Sequence, residues 1–248
     1  MPEWFADESF WESFYPVMFP DERFDATPEQ AARLLELTKF TGRDVLDLCC
    51  GPGRFCVVLA AEGFNVTGVD KSAFLLGKAR LRAKQAQVAV ELVHEDMRNF
   101  VRPNAFDLVV NMFTSFGYFD NKDDDMRVLR NVHESLRRGG VVLIDVIGKE
   151  YLAKVFQPTV SSATPDGGTL VQRHEIFDDW TRIRNEWILI QGDRAVSFKF
   201  HHTVYSAQEL KDRLREAGFG SIAVYGDLEG NEYGVDAHRL VVVARKGS

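Results

Sequence analysis

The stretch Val45-Leu46-Asp47-Leu48-Cys49-Cys50-Gly51-Pro52-Gly53-Arg54-Phe55 decides the fold. An apolar run carrying one acid breaks at Gly-Pro-Gly and resumes with helical spacing, as a buried strand does when it enters a helix through a tight turn. Glycines there let a ligand approach the backbone, and the free N–H groups that open the helix favour an anionic group such as a carboxylate or phosphate. A Gly-Pro-Gly turn also joins strand to helix for purely structural reasons, so the flanking segments carry the decision.

Working outward, residues 44–48, 65–70, 88–94, 106–112 and 141–147 read as strands. Helices at 54–62, 72–87 and 122–138 alternate with them, stopped by Gly63 and by Gly139-Gly140. Strands alternating with helices predict a parallel sheet covered on both faces. A helix with a capping box at Ser206 and Glu209 ends at Gly218, and strands follow at 219–226 and 239–245. Between residues 168 and 205, three long β-like runs joined by Asp178-Asp179-Trp180 and Gly192-Asp193 predict an antiparallel insertion. Residues 1–26 are aromatic-rich and interrupted by Pro16 and Pro20, which predicts short helical pieces lying over the rest. Thr27, Pro28 and Gln30 read as N-cap, first-turn proline and capping-box partner of a helix reaching about Phe40, with Gly42 beyond its end.

Composition narrows the function. The 248 residues are 45% hydrophobic and 27% charged, ordinary globular usage that excludes disorder and coiled coil. A net charge of −7 opposes a long nucleic-acid backbone, and no charge-free stretch approaches the roughly 18 apolar residues of a membrane span. The start MPEWFADE is acidic where a signal peptide is basic. Three cysteines, at 49, 50 and 56, are an odd and crowded set that forms no disulfide framework. A cytoplasmic protein without membrane or nucleic-acid partners is the expectation, as a monomer or homodimer.

Four successive strands put polar residues at their carboxyl ends: Asp47, Asp70, Glu95-Asp96-Met97 and Asn111-Met112. That edge is where open α/β sheets bind ligands, and an acid such as Asp70 can accept both hydroxyls of a ribose. Through VLDLCCGPG, VTGVDKS, HEDMRNF, FDLVVNMFTSFGYF and LRRGGVVLIDV, residues 40–147 resemble the class I S-adenosylmethionine-dependent methyltransferases, most nearly those that act on amino sugars and other metabolites. The resemblance implies a doubly wound, Rossmann-like sheet of seven strands with the last antiparallel. It implies a methyltransferase domain over 41–150 and 206–248, a helical lid over 1–40 and an inserted β cap over 151–205. Carried over by position, Asp47 and the loop Cys49, Cys50, Gly51 and Gly53 support the methionine portion of S-adenosylmethionine. Asp70 holds the ribose, and Lys71 and Ser72 lie near the adenosine. Asp96 and Met97 read the adenine, while Asn111 and Met112 close the pocket near the sulfonium. Family loops commonly carry glycine where this chain has Cys49; a positive φ there would make the cysteine costly.

Rival chemistries lack their residues. A nicotinamide dehydrogenase wants a third glycine where Cys56 stands. The run Asn111-Met112-Phe113-Thr114 is not the Asn/Asp-Pro-Pro-aromatic motif of enzymes that methylate base amino groups. No spacing suits a metal, since His201 and His202 point to opposite faces of a strand. The expected activity is methyl transfer to nitrogen or oxygen of a small-molecule acceptor, with a noncatalytic cofactor-binding module as the alternative. Candidate catalytic groups are Tyr15, His174 and His201; candidate acceptor-binding groups are Trp11, Phe113, Tyr118 and Arg173. On the insertion, either Arg173 and Glu175 or Gln172 and His174 face inward, because alternate residues share a face.

Overall fold

The computed structural model describes residues 3–247; residues 1, 2 and 248, the outermost positions of the expected lid and methyltransferase domain, lie outside the described residues. Inside its main sheet runs β1 (Asp44–Leu48), every residue of which beyond Asp44 is buried. β2 (Asn65–Asp70) and then β3 (Glu91–His94) add to one side in parallel, β4 (Phe106–Asn111) and β5 (Leu136–Val146) to the other. The antiparallel β11 (Leu240–Lys246) pairs with β5, and β10 (Phe219–Tyr225) closes the order β10-β11-β5-β4-β1-β2-β3. The strand order reverses between β1 and β4, which opens a crevice at their carboxyl ends.

Helices α3 (Thr27–Thr38) and α4 (Arg54–Ala61) pack on one face. On the other lie α6 (Lys122–Ser135) and α8 (Ala207–Glu216), and α5 (Ala73–Gln85) follows β2. Ser206 and Glu209 form the expected capping box. Thr27 does not cap α3: its hydroxyl donates to the Arg23 carbonyl, because α2 (Asp21–Asp25) runs into α3 with only Ala26 between them. Helix α6 ends at Ser135, short of Gly139-Gly140, where the chain is already extended in β5 and irregularly paired with β4. β3 begins at Glu91, since the preceding residues close α5 through Val88 N–H to the Ala83 carbonyl.

The insertion holds a short helix, α7 (Lys149–Val155), and a sheet of four strands: β6 (Thr159–Ala163), β7 (Thr169–Phe177), β8 (Arg182–Gln191) and β9 (Arg194–Thr203). β6 was not foreseen. The N-terminal segment is a 3₁₀ turn (Trp4–Ala6) and an unbroken helix α1 (Glu8–Met18) that runs through Pro16. Phe10 and Phe14 of α1 are fully buried against Leu170, Leu189 and Phe200 of the insertion. Burial of five large side chains, at about 1.5–3 kcal/mol each, outweighs the hydrogen bond that Pro16 removes.

Candidate active site

The loop after β1 turns through three residues in the left-handed region, Cys49 (φ 63°), Gly51 (φ 54°) and Gly53 (φ 78°). Glycine takes this conformation freely, whereas a non-glycine residue held there carries about 1–2 kcal/mol of strain. At Gly53 a Cβ would also meet the Cβ of Ala79 at 2.9 Å, so α4 and α5 approach only because the side chain is missing. Asp70 ties this loop to the next: its Oδ2 accepts the Gly51 N–H at 2.8 Å and its Oδ1 the Ser72 N–H at 2.9 Å. Each oxygen keeps a lone pair for a further donor. Burial raises the Asp70 carboxyl above its ordinary range, against these backbone bonds.

Asp47, deeper in the crevice, accepts the Cys56 thiol at 3.2 Å. Burial pushes its carboxyl up to about 7. The thiols of Cys50 and Cys56 fill the space above Gly68, where a Cβ would meet them at 3.0 and 2.6 Å. Burial holds the Cys49 thiol well above its usual range. Hydrogen bonding from Cys50 and then burial do the same for Cys56, leaving both thiols protonated and inert as nucleophiles.

At the end of β3, Asp96 is held by Lys71 (2.8 Å) and by Arg98 (2.6 and 3.0 Å). Burial alone would raise its carboxyl, but these two cations outweigh burial and hold it well below the usual carboxylate range. Glu3 closes the same pair from above, accepting Lys71 at 2.9 Å and Arg98 at 2.7 Å. Trp4 and Phe5 follow over the crevice. Glu8 fastens the first turn of α1 to α5 by accepting the Ala73 N–H and the Ser72 hydroxyl.

At the end of β4, Phe113 (φ 57°) and Thr114 (φ 62°) are left-handed as well, and Asp145 of β5 holds both, its side chain taking the Phe113 N–H and its carbonyl the Thr114 N–H. The chain thus crosses the open end of the sheet and returns Tyr118 and Phe119 toward Trp4 and Phe5. These elements enclose a cavity of about 190 Å³.

Of the residues expected to bind cofactor, Asp47, Cys49, Cys50, Gly51, Asp70, Lys71, Asp96, Met97 and Met112 line this cavity. Gly53, Ser72 and Asn111 stand behind it. Gly53 packs on Ala79, Ser72 caps α5, and the Asn111 amide donates to the Leu48 carbonyl at 3.0 Å, bracing the loop. Trp11, Phe113 and Tyr118, expected to bind the acceptor, line the same cavity. The structure does not bring Tyr15, His174, His201 or Arg173 to the cavity. Tyr15 is turned out against Phe19 and Phe74. His174 faces inward with Leu170, but its ring is held by Asn185. His201 pairs with Asp120 and Arg173 with Glu186. The inward set on β7 is therefore Gln172 and His174, with Arg173 and Glu175 exposed. Lining residues that were not expected include Trp4, Phe5, Arg23, Arg54 and Phe119. Arg54 directly follows Gly53, a position whose charge in so apolar a helix was the available signal.

A loop at the carboxyl edge of β1, three carboxylates on successive strand ends and free N–H groups at α4 define a nucleoside-type cofactor site on a doubly wound sheet. Residues 45–140 match the family described as methyltransferase domain. The chain is 25% identical over 215 residues to a glycine/sarcosine N-methyltransferase of Aphanothece halophytica, covering 85% of this chain and 78% of that protein. It is 27% identical over 208 residues to a Bacillus subtilis protein named only as a methyltransferase, covering 82% and 83%. Among solved structures, an S-adenosylmethionine-dependent methyltransferase from Clostridium acetobutylicum superposes with a TM-score of 0.81 at 16% identity, covering 97% and 98%. Residues 45–140 thus carry a methyltransferase domain, within a fold that the chain shares with S-adenosylmethionine-dependent methyltransferases. The residues present fit that cofactor: Asp70 keeps acceptor capacity beside the cavity, and Gly51 and Pro52 bring bare backbone to its wall.

Proposed function

We propose that the protein methylates an amine nitrogen of a small molecule held between the cofactor loop, the N-terminal aromatic segment and the chain that crosses from β4. When bound, S-adenosylmethionine supplies a methyl group already activated on a sulfonium, so the protein's task is alignment and exclusion of water. Asp70 accepts the ribose hydroxyls. Asp96 and the Met97 backbone receive the adenine, with Lys71 beside it. Asp47 and the Cys49–Gly53 loop face the methionine portion, and Met112 closes the pocket beneath the reacting centre. Trp11, Phe113 and Tyr118 orient the acceptor. Residues 3–40 act as a lid and the inserted sheet as the cap that supports it.

The observation that carries nitrogen over a hydroxyl oxygen is the lining of the acceptor side. It consists of aromatic rings, Met18, Thr114, Ser115 and two arginines, with no histidine among the described lining residues. An aliphatic alcohol needs a base to take its proton, whereas an uncharged amine presents its lone pair unaided. The glycine/sarcosine N-methyltransferase likeness supports the same chemistry. Among the described residues no helix is long and apolar enough to cross a membrane, and with three free thiols we place the activity in the reducing cytoplasm.

The test is incubation of the purified protein with methyl-labelled S-adenosylmethionine and a small-molecule extract of the organism that makes it. Label in a low-mass amine supports the proposal. Label in an alcohol ether or in macromolecules alone overturns it, as does unlabelled extract despite tight S-adenosylhomocysteine binding, which would favour a noncatalytic module.

A further inference from the structure

Arg54, the first residue of α4, is a buried cation without a counter-charge. It is only 7% exposed, yet among the described residues it makes no ion pair. Arginine is almost never this buried unless paired, because taking the charge out of water is costly. Three neutral acceptors hold the side chain. Its Nε donates to the Thr27 hydroxyl at 3.1 Å, and its Nη2 donates to the Arg23 carbonyl at 2.6 Å and to Gln30 Oε1 at 2.9 Å. These bonds satisfy N–H groups but leave the positive charge uncompensated. Nη1 has no partner among the described residues, is not sealed inside the protein, and belongs to a side chain that lines the cavity beside Cys50, Gly51 and Pro52. The Phe113 ring lies 4.4 Å from the guanidinium, at the border between the cofactor loop and the acceptor side. Arg54 is thus fixed in place and still has donors to give.

Its surroundings sharpen the need for an anion. Burial and then the nearby Arg23 pull the guanidinium down to about 10, and the attraction of Asp47 opposes them only in part. Asp47 is no ion partner for it: that carboxyl accepts the Cys56 thiol at 3.2 Å and forms no ion pair among the described residues. Two buried groups of opposite sign, Asp47 and Arg54, therefore flank the loop that turns from β1 into α4, and both line the cavity. The methionine portion of S-adenosylmethionine ends in an ammonium and a carboxylate, one charge of each sign.

We propose that Arg54 receives the carboxylate of S-adenosylmethionine on its free guanidinium nitrogen, with Thr27, Gln30 and the Arg23 carbonyl holding it in position and Asp47 facing the adjacent ammonium. A charge-assisted bond to a carboxylate is the strong kind, and here it also relieves a cation that the fold otherwise leaves unpaired. Because three acceptors already fix the side chain, little rotamer freedom is lost when the carboxylate arrives. The inference rests on the methyltransferase reading and adds a residue to its cofactor site.

The experiment is calorimetric titration of the full chain with S-adenosylhomocysteine and with its decarboxylated analogue, which keeps the adenosine, the thioether and the amine. Wild type should prefer S-adenosylhomocysteine by about tenfold or more, the scale of a hydrogen bond to a charged group. Arg54→Gln should weaken S-adenosylhomocysteine by about tenfold or more and leave the analogue within about twofold. Arg54→Lys, which keeps a cation in the same space, should recover part of the preference. Should Arg54→Gln fail to fold in a thermal scan, Arg54→Lys decides against wild type: weakening of S-adenosylhomocysteine alone supports the seat, and unchanged or equally weakened binding of both ligands overturns it. Equal loss of both ligands in Arg54→Gln gives Arg54 a structural role and overturns the proposal, as does a wild type that binds both alike. Those results leave the cofactor reading intact, whereas a wild type that binds neither ligand defeats that reading and this one with it.

Discussion

Glu3 and Asp96, 93 positions apart in sequence, share the same two cations: Lys71 and Arg98 each bind both carboxylates. Asp96 is part of the sheet edge and Glu3 of the segment above it, so this four-charge cluster fastens the N-terminal segment to the carboxyl edge of the sheet. It holds the Glu3 carboxyl below its usual range, with Arg98 and Lys71 outweighing burial.

Glu3→Gln should therefore speed the release of S-adenosylhomocysteine. The groups are partly exposed, so the loss is about 0.5–1 kcal/mol, roughly a two- to fivefold faster dissociation. Stopped-flow measurement at low and high salt checks it: wild type should quicken with salt and the variant should not. A salt-insensitive wild type would detach the lid from this cluster.

Asp70→Ala should weaken S-adenosylhomocysteine by about 1–3 kcal/mol, the scale of hydrogen bonds to a charged group. It also orphans the Gly51 and Ser72 N–H groups, so the melting temperature falls with affinity. Calorimetric titration alongside a thermal scan separates the two effects; unchanged affinity would remove Asp70 from the ribose role.

Cys49→Gly tests the strained loop. Releasing φ 63° returns about 1–2 kcal/mol, against about 0.5–1 kcal/mol for the added freedom of the unfolded chain. A small gain in stability, read from denaturant midpoints, is expected. A large loss would mean that the Cys49 contact with Met97 Sδ at 3.4 Å matters more than the backbone.

Asp47 gives a pH dependence whose sign is fixed. Its folded carboxyl, raised by burial to about 7, favours the protonated form, so its contribution to stability is full below about pH 4 and lost as the pH rises to 7. Asp125, raised by burial to about 6, adds to the same window and must be kept constant. Asp47→Asn should flatten the slope between pH 4 and 7. In wild type, binding of the cationic cofactor should tighten across pH 6–8 with release of a proton, and the variant should lose that dependence. An identical slope in variant and wild type would contradict the placement.

Much of the sheet was legible because burial writes itself into sequence. Leu46 and Leu48 lie on a strand buried on both faces, and the Gly51–Gly53 turn and Asp70 follow from strand ends that must meet a ligand. The capping box at Ser206 is local, and so was readable. What was missed depends on partners distant in sequence. Pro16 is tolerated in α1 because Phe10 and Phe14 are anchored in an insertion more than 150 residues away. The short strand β6 is exposed throughout, and only its pairing with β7 defines it. His174 and His201 looked free for catalysis, but Asn185 and Asp120, which occupy them, arrive from other segments.

The central claim is methyl transfer from S-adenosylmethionine to an amine in the cavity between Asp70 and Tyr118. It is tested most directly by mass spectrometry of a reaction containing purified protein, S-adenosylmethionine and the small-molecule extract. The account predicts one amine that gains the mass of a methyl group, with S-adenosylhomocysteine formed one-for-one and both signals abolished in a variant carrying Asp70→Ala and Tyr118→Ala together. S-adenosylhomocysteine formed no faster than in protein-free solution, by a chain that binds the cofactor, would contradict it.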